Sequence, residues 1–449
     1  MVDRVRVSFR GEGSGVDELT WGQLGMWRAI KEQHCSMGVG FPVPLPPGTT
    51  VQDIAAGLGF VMGRHQSLRT RLVFDADGHA RQSVATEGEI FLEIVDVADD
   101  DDPATAAAAL RTRYHDTEFD YATEWPVRMA VLRHHGVPTH AVALYCHLAV
   151  DGAGAEALVA DLANLDPVTG EAAPVTAVQP LEMARWQQSP AGQRHNERTL
   201  RHWERQLRAI PARRFPESTD RRTPRYWEAQ FTSRATYLAV QAIADRTNLE
   251  TSSVLLAAFA VAMARITETN PVVTQMSVGN RFRPGLSDMV STLALNGLCV
   301  IDVADATFDE VVLRAWHSAL TAYKYAYYDP SSHDAMLARV NDERGEEIDI
   351  GCIFNDRRTG ERRDVLSPPP TGPEILAALP LSTLRWRQQT ERAGERFFFH
   401  INDVPDTTEI WMPIDSRCMS HADTEAFLRE VEMVAVAAAL DPAAVATPV

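Results

Sequence analysis

Apolar positions in the first 165 residues alternate with polar ones over short runs, and between these runs they recur every three or four residues. Those are the periods of a strand and of a helix, so this half reads as α/β. Strands are predicted from Val5 to Phe9, Arg69 to Phe74 and Ile90 to Val95, and helices from Thr20 to Gln33 and Ile54 to Arg64. The acidic turn Asp99 to Asp102 precedes Pro103, which is preorganised for a first helical turn; the four aspartates therefore read as a cap and a solvated loop rather than a metal site. Met129 to Leu132 and His140 to His147 read as paired strands about Gly136-Val137-Pro138, and a helix from about Ala153 to Leu162 follows.

Between Asn164 and Pro180 the pattern gives way to Pro, Gly, Thr and Glu, the composition of a linker. This predicts an N-terminal lobe over 1–170 and a C-terminal lobe over 171–449. The second lobe opens with a helix from Glu197 to Leu207 and resumes with a strand from Ala229 to Ser233. Thr251-Ser252-Ser253 is placed to cap the apolar helix containing Val254 to Ala264. A strand from Val272 to Val278, a helix from Phe308 to Tyr325 and a strand from Ile348 to Phe354 come next. The stretch 355–373, rich in Arg, Gly and Pro, reads as a mobile crossing loop. Late strands at Phe397 to Ile401 and Glu409 to Met412 precede a closing helix from Asp423 to Ala439.

Composition narrows the function classes. Hydrophobic residues are 45% and charged residues 23% of the 449, the balance of a folded domain with a sizeable core. The net charge of -18 would repel a phosphate backbone or an anionic membrane, so neither is an expected partner. Two arginine crowds stand against that background, Arg213, Arg214, Arg221, Arg222 and Arg225, and Arg357, Arg358, Arg362 and Arg363; each reads as a solvated loop or, alternatively, a dock for an acidic partner. The five cysteines are scattered without a CxxC pair, which indicates neither disulfides nor a zinc site and fits a reducing cytoplasm. No signal peptide or membrane span is expected.

The segment with chemical content is Tyr145-Cys146-His147-Leu148-Ala149-Val150-Asp151-Gly152, an HxxxDG where a buried strand gives way to a helix. A strand end presents its side chain to a cleft, where an imidazole can reach a proton on a nucleophile. Asp151, past the turn, is placed to cap backbone N–H groups or pair with an arginine. Gly152 is read as permitting a conformation or close approach that a Cβ would forbid. Cys146 is not read as a nucleophile with His147 as base, since successive residues on a strand point to opposite faces; a small thiol packed behind the histidine is the better account.

Other motifs accompany this one: Leu19-Thr20-Trp21-Gly22-Gln23-Leu24-Gly25-Met26-Trp27, Arg64-His65-Gln66-Ser67-Leu68-Arg69-Thr70, and Val278-Gly279-Asn280-Arg281 followed by Pro284, Met289-Val290 and Asn296. In their order and approximate spacing the chain resembles the condensation domains of non-ribosomal peptide synthesis. It departs from them in having Cys146 where the motif usually begins with a first histidine.

The resemblance implies two chloramphenicol-acetyltransferase-like lobes of mixed α/β sheets, arranged as a V-shaped pseudo-dimer about a central tunnel. It implies an acyltransferase that joins a carrier-bound acyl or aminoacyl thioester to an amine or hydroxyl, with His147 orienting the nucleophile, taking its proton or stabilising the tetrahedral intermediate. Arg64, Arg69 and Arg281 are the candidate partners of Asp151, and Asn280 is a candidate for shaping the tunnel. No tightly bound cofactor or metal is implied, the phosphopantetheine arm belonging to a carrier protein. The acceptor is a small-molecule or carrier-bound nucleophile. With no GGxS carrier signature and no adenylation segment, peptidyl or acyl carrier proteins are expected in trans, to a monomeric enzyme. The other readings are a catalytically silent module that recruits partners to a carrier, and a transferase that uses free acyl-CoA.

Overall fold

The computed structural model describes residues 3–166, 172–215, 218–358, 365–390, 396–443 and 445. The chain forms two compact units: Met1–Asn196 with Gly279–Leu295, and Glu197–Val278 with Asn296–Val449. The division therefore falls at Asn196/Glu197 rather than at 170, and a 279–295 segment from the second half belongs to the first unit. Sequence composition missed both features because it registers turn chemistry, whereas a unit is defined by what each segment packs against.

The first unit contains β1 (Asp3–Arg10), β2 (Gly15–Glu18), α1 (Trp21–Gln33), β3 (Pro42–Pro44), α2 (Val51–Arg64), β4 (Thr70–Phe74), β5 (Ala80–Val84), β6 (Glu87–Val97), α3 (Pro103–Asp116), β7 (Val127–His134), β8 (Val137–Tyr145), α4 (Gly152–Leu162) and α5 (Pro180–Gln188). Its main sheet has the order β1-β6-β7-β8-β3, and β2-β5-β4 form a second. β6 and β7 are parallel, whereas β7 and β8 pair antiparallel. The central strands bury Leu92, Val131, Leu132 and Val142 completely. Thr20 and Gln23 cap α1 reciprocally, and Asp102 caps α3 by accepting from the Thr105 amide at 2.8 Å, so the acidic turn is a helix start.

The helix α6 (Pro190–Ala209) runs across the division between the units. Beyond it lie β9 (Tyr226–Ser233), α7 (Arg234–Thr247), α8 (Thr251–Thr267), β10 (Val272–Val278), β11 (Leu295–Ile301), α9 (Phe308–Lys324), α10 (Pro330–Arg344), β12 (Cys352–Asp356), α11 (Gly372–Ala378), β13 (Thr383–Thr390), β14 (Phe397–Asn402), β15 (Thr408–Asp415) and α12 (His421–Leu440). The strands form one seven-stranded sheet, β11-β10-β12-β14-β15-β9-β13.

The apolar run in α8 packs inside the core of this unit, where Phe259 meets Phe354, Phe399 and Phe427 edge to face. Thr251 is the first residue of α8 and not its cap: Glu250 holds the cap position without a side-chain hydrogen bond. Among the described residues no single helix is long and apolar enough to cross a membrane; α7 and α8 together have the length, but they are bent by 113° and buried. The expected strand from Ile348 to Phe354 starts late, at Cys352. Of the expected crossing loop, 355–356 end β12, 372–373 begin α11 and 359–364 lie outside the described residues.

Candidate active site

β8 ends at Tyr145, and the chain turns through Cys146, His147, Leu148 and Ala149 before α4 begins. The Cys146 amide donates to the Pro126 carbonyl at 2.9 Å, and the Ala149 and Val150 amides fold back on the Cys146 carbonyl. This tight turn reverses the two adjacent side chains. Cys146 is 1% exposed among Leu19, Ile30, Leu132 and Leu144, and burial pushes its thiol up to about 12. A thiol held that far above neutral pH is no nucleophile. His147 is only half-buried, and its carbonyl accepts a short hydrogen bond from the Thr292 hydroxyl.

Asp151 sits at the start of α4 and is 3% exposed. It accepts from the Gly154 amide at 2.8 Å, the Leu293 amide at 2.9 Å and the Ala294 amide at 3.1 Å. Arg281 meets it with both terminal nitrogens, at 2.7 and 2.9 Å. The same guanidinium donates to the carbonyls of Gly279, Met289 and Ser291. A buried charge pair is tolerated when other polar groups meet its remaining donors and acceptors, and here main-chain carbonyls take both terminal nitrogens of Arg281 while its Nε is buried without a hydrogen-bond partner. Asp151 thus ties the histidine-bearing turn to the 279–295 segment.

Asn280 supports that segment from within. It takes a left-handed backbone at φ 53°, is 6% exposed, and donates to the Leu293 carbonyl at 3.0 Å, which makes it a buried brace rather than a lining residue. On the other side α1 packs against the segment so closely that a Cβ at Gly22 would lie 2.3 Å from the Thr292 carbonyl oxygen. The run containing Trp21-Gly22, the HxxxDG turn and the Asn280-Arg281 segment therefore converge on Thr292 and Leu293.

Of the three arginines, Arg281 is the partner of Asp151; the other two are committed elsewhere. Arg64 grips Asp161 of α4 at 2.7 and 2.8 Å, and the buried His65 adds Nε2 at 2.9 Å from the same carboxylate. Burial alone would raise the Asp161 carboxyl, but hydrogen bonds and charge from His65 and Arg64 hold it well below the usual range. Arg69 is fully buried and donates to the carbonyls of Glu12, Gly13 and Ala85, fastening the loop before β2. Gly152 also departs from expectation. A Cβ there would meet nothing within 4 Å, whereas at Gly154 it would lie 2.8 Å from the Ser291 carbonyl oxygen. The glycine that sterics demand is the second one, and the first leaves open space at the start of α4.

Sequence reasoning missed Thr292, Gly154 and Asp161. Thr292 and Asp161 carry no motif of their own, and Gly154 is one of three small residues following the motif. Among the described residues only Asp75, Asp77 and His79 bring metal-type ligand atoms together; they are exposed in the β4–β5 turn, where Asp75 accepts from the Asp77 and His79 amides.

A histidine-bearing turn clamped through an aspartate and an arginine, in a chain of two mixed α/β units, defines the HxxxDG class of domain. The family model for the condensation domain matches residues 26–344, and the chain belongs to the condensation-domain family. It is similar to the non-ribosomal peptide synthetase kk1B of Curvularia clavata, 30% identical over 346 residues, which is 72% of this chain and 3% of that protein. The chain spans 3% to 11% of the length of the first three curated relatives it matches. Among solved structures it resembles the condensation domain that mediates chain release from the enacyloxin polyketide synthase, with TM-score 0.71, 19% identity and coverage of 98% of this chain and 86% of that one. The X-domain from teicoplanin biosynthesis has TM-score 0.71 and 18% identity, covering 95% of this chain and 96% of that one. At such identities these two likenesses establish the fold, the mixed α/β fold of condensation domains.

Proposed function

We propose that this chain catalyses acyl transfer from a carrier-bound thioester to an amine or hydroxyl, forming an amide or ester, with His147 as the catalytic residue. The amine or hydroxyl attacks the thioester carbonyl, the C–S bond breaks, and the phosphopantetheine thiol leaves. His147 orients the nucleophile, takes its proton as the new bond forms and passes that proton to the departing sulfur. The observation that carries this reading is the division of labour within the motif. Cys146 is sealed in the core and Asp151 is held by Arg281 and backbone amides, whereas His147 lies in the turn between them and is only partly buried.

The test is a transfer assay with an acyl-loaded carrier domain and an amine or alcohol acceptor, product being read by mass spectrometry. His147→Ala should cut turnover by about 100-fold or more, the usual scale for loss of a positioned general base, without moving the melting temperature. Equal, uncatalysed product formation by both proteins, with carrier binding retained, would identify a silent recruiting module instead. Turnover with free acyl-CoA and no carrier would replace the carrier in the reading.

A further inference from the structure

The two arginine crowds that stand out in the sequence are largely used up internally. Arg214 is buried and donates to the Val273 carbonyl, Arg225 grips Asp415, Arg222 binds Asp220, and Arg358 binds Asp356. Arg357 reaches His400, and 359–364, with Arg362 and Arg363, lie outside the described residues.

Arg213 and Arg221 stay exposed at the surface, but a longer exposed row lies on α6, where Arg198, Arg201, Arg205 and Arg208 follow one another at spacings of three, four and three. At 3.6 residues per turn these positions fall within about 80° of arc, and at about 1.5 Å per residue they form a ridge ~15 Å long. The opposite face explains why the ridge points outward. Trp203 and Leu207 are fully buried, and the Trp203 indole donates to the Tyr325 carbonyl at 2.8 Å. The four arginines, Glu204 and Tyr325 line an open groove. His202 stacks under the Tyr325 ring at 3.9 Å; burial, then the charges of Arg205 and Lys324, lower it to about 4, so it stays neutral beneath the ridge.

The carboxylates nearby do not neutralise the ridge evenly. Glu204 is taken by Arg208 and Arg339, and Arg208 also binds Glu343. Arg201, 68% exposed, has Glu197 only at 3.9 Å, and Arg205 is exposed with no ion pair among the described residues.

We infer that the α6 ridge docks an acidic α-helix on the surface of a partner protein. A line of guanidinium groups at helical spacing matches carboxylates repeated along another helix, each of which an arginine fork can take with two hydrogen bonds. Tyr325 supplies the flat amphipathic floor that such contacts favour. The chain's net charge of -18 selects against an extended polyanion or an anionic membrane, whose charge reaches far beyond the ridge; one acidic helix confines its charge to it. This inference is independent of the transfer chemistry.

A fluorescein-labelled, alanine-rich helical peptide with glutamates at spacings of three, four and three is the probe, and a peptide of equal composition with its glutamates dispersed around the helix is the control. With the full chain, anisotropy titration should show the patterned peptide binding at least about fivefold more tightly than the control, and salt should weaken it. Arg201→Glu with Arg205→Glu should abolish the preference at unchanged melting temperature. If that double variant melts early, Arg205→Gln alone reads the same contrast. Equal affinity for both peptides, or an unchanged preference in the folded variants, would overturn the inference. Binding that depends on Arg201 and Arg205 but is seen only with a DNA duplex or with phosphatidylglycerol vesicles would overturn it too.

Discussion

Cys146 and His147 are neighbours with different surroundings: one tight turn puts a thiol into the core and leaves an imidazole only partly buried. The expected strand through His147 stops at Tyr145, so it is the turn beyond β8, not strand alternation, that gives the two side chains different surroundings. The glycines after the motif divide in the same way. Gly154→Ala forces a methyl against the Ser291 carbonyl and the Asp151–Arg281 pair and should cost about 1–3 kcal/mol in urea unfolding, the range for overpacking. Gly152→Ala meets open space and should stay within about 0.5 kcal/mol of the parent. A larger cost at 152 than at 154 would contradict this packing. The motif letters alone suggested the reverse, because a glycine in a pattern does not say what lies across from it.

Two ion-pair clamps hold the elements that carry the site. In the first, Asp151→Ala would leave Arg281 charged and buried against three carbonyls, so a loss of about 3–5 kcal/mol is expected from chemical denaturation. Pairing it with Arg281→Met should restore part of that loss, and a strictly additive double variant would sink the assignment. In the second, Arg64 and His65 at the end of α2 hold Asp161 on α4. Asp161 is depressed in the folded chain, so its contribution is present above the ordinary carboxylate value of 3.8 and is lost as pH falls through the lower folded value. Asp161→Asn should therefore destabilise the protein at pH 7, with the gap to the parent closing below about pH 4. A gap independent of pH would show that the carboxylate charge is not what matters. The arginines were visible in the sequence, but their partners were not. Arg281 and Asp151 are 130 residues apart, and nothing in the local pattern of either encodes the other.

At the scale of the whole chain, the first unit is completed by 279–295 from the second half, where Val290 and Leu293 are 2% and 0% exposed. A fragment of residues 1–196 therefore lacks Arg281 and two of the three backbone amides that Asp151 accepts from, those of Leu293 and Ala294. It should fail to give a cooperative urea transition by circular dichroism, whereas the full chain should give one. Cooperative unfolding of the fragment would mean that the inserted segment is dispensable for that unit.

The sequence by itself determined the mixed α/β class, most of the strands and helices with strong periodicity, and the turn that carries His147. These rest on local rules: alternation, helical spacing, caps and a strand-to-helix junction. Only the tertiary structure decided which arginine meets Asp151, which glycine is indispensable, where the units divide, and that four arginines of α6 line one exposed face. Each of those depends on burial and on partners distant in the chain, and the free energy of such contacts is set by packing that no short window of sequence contains.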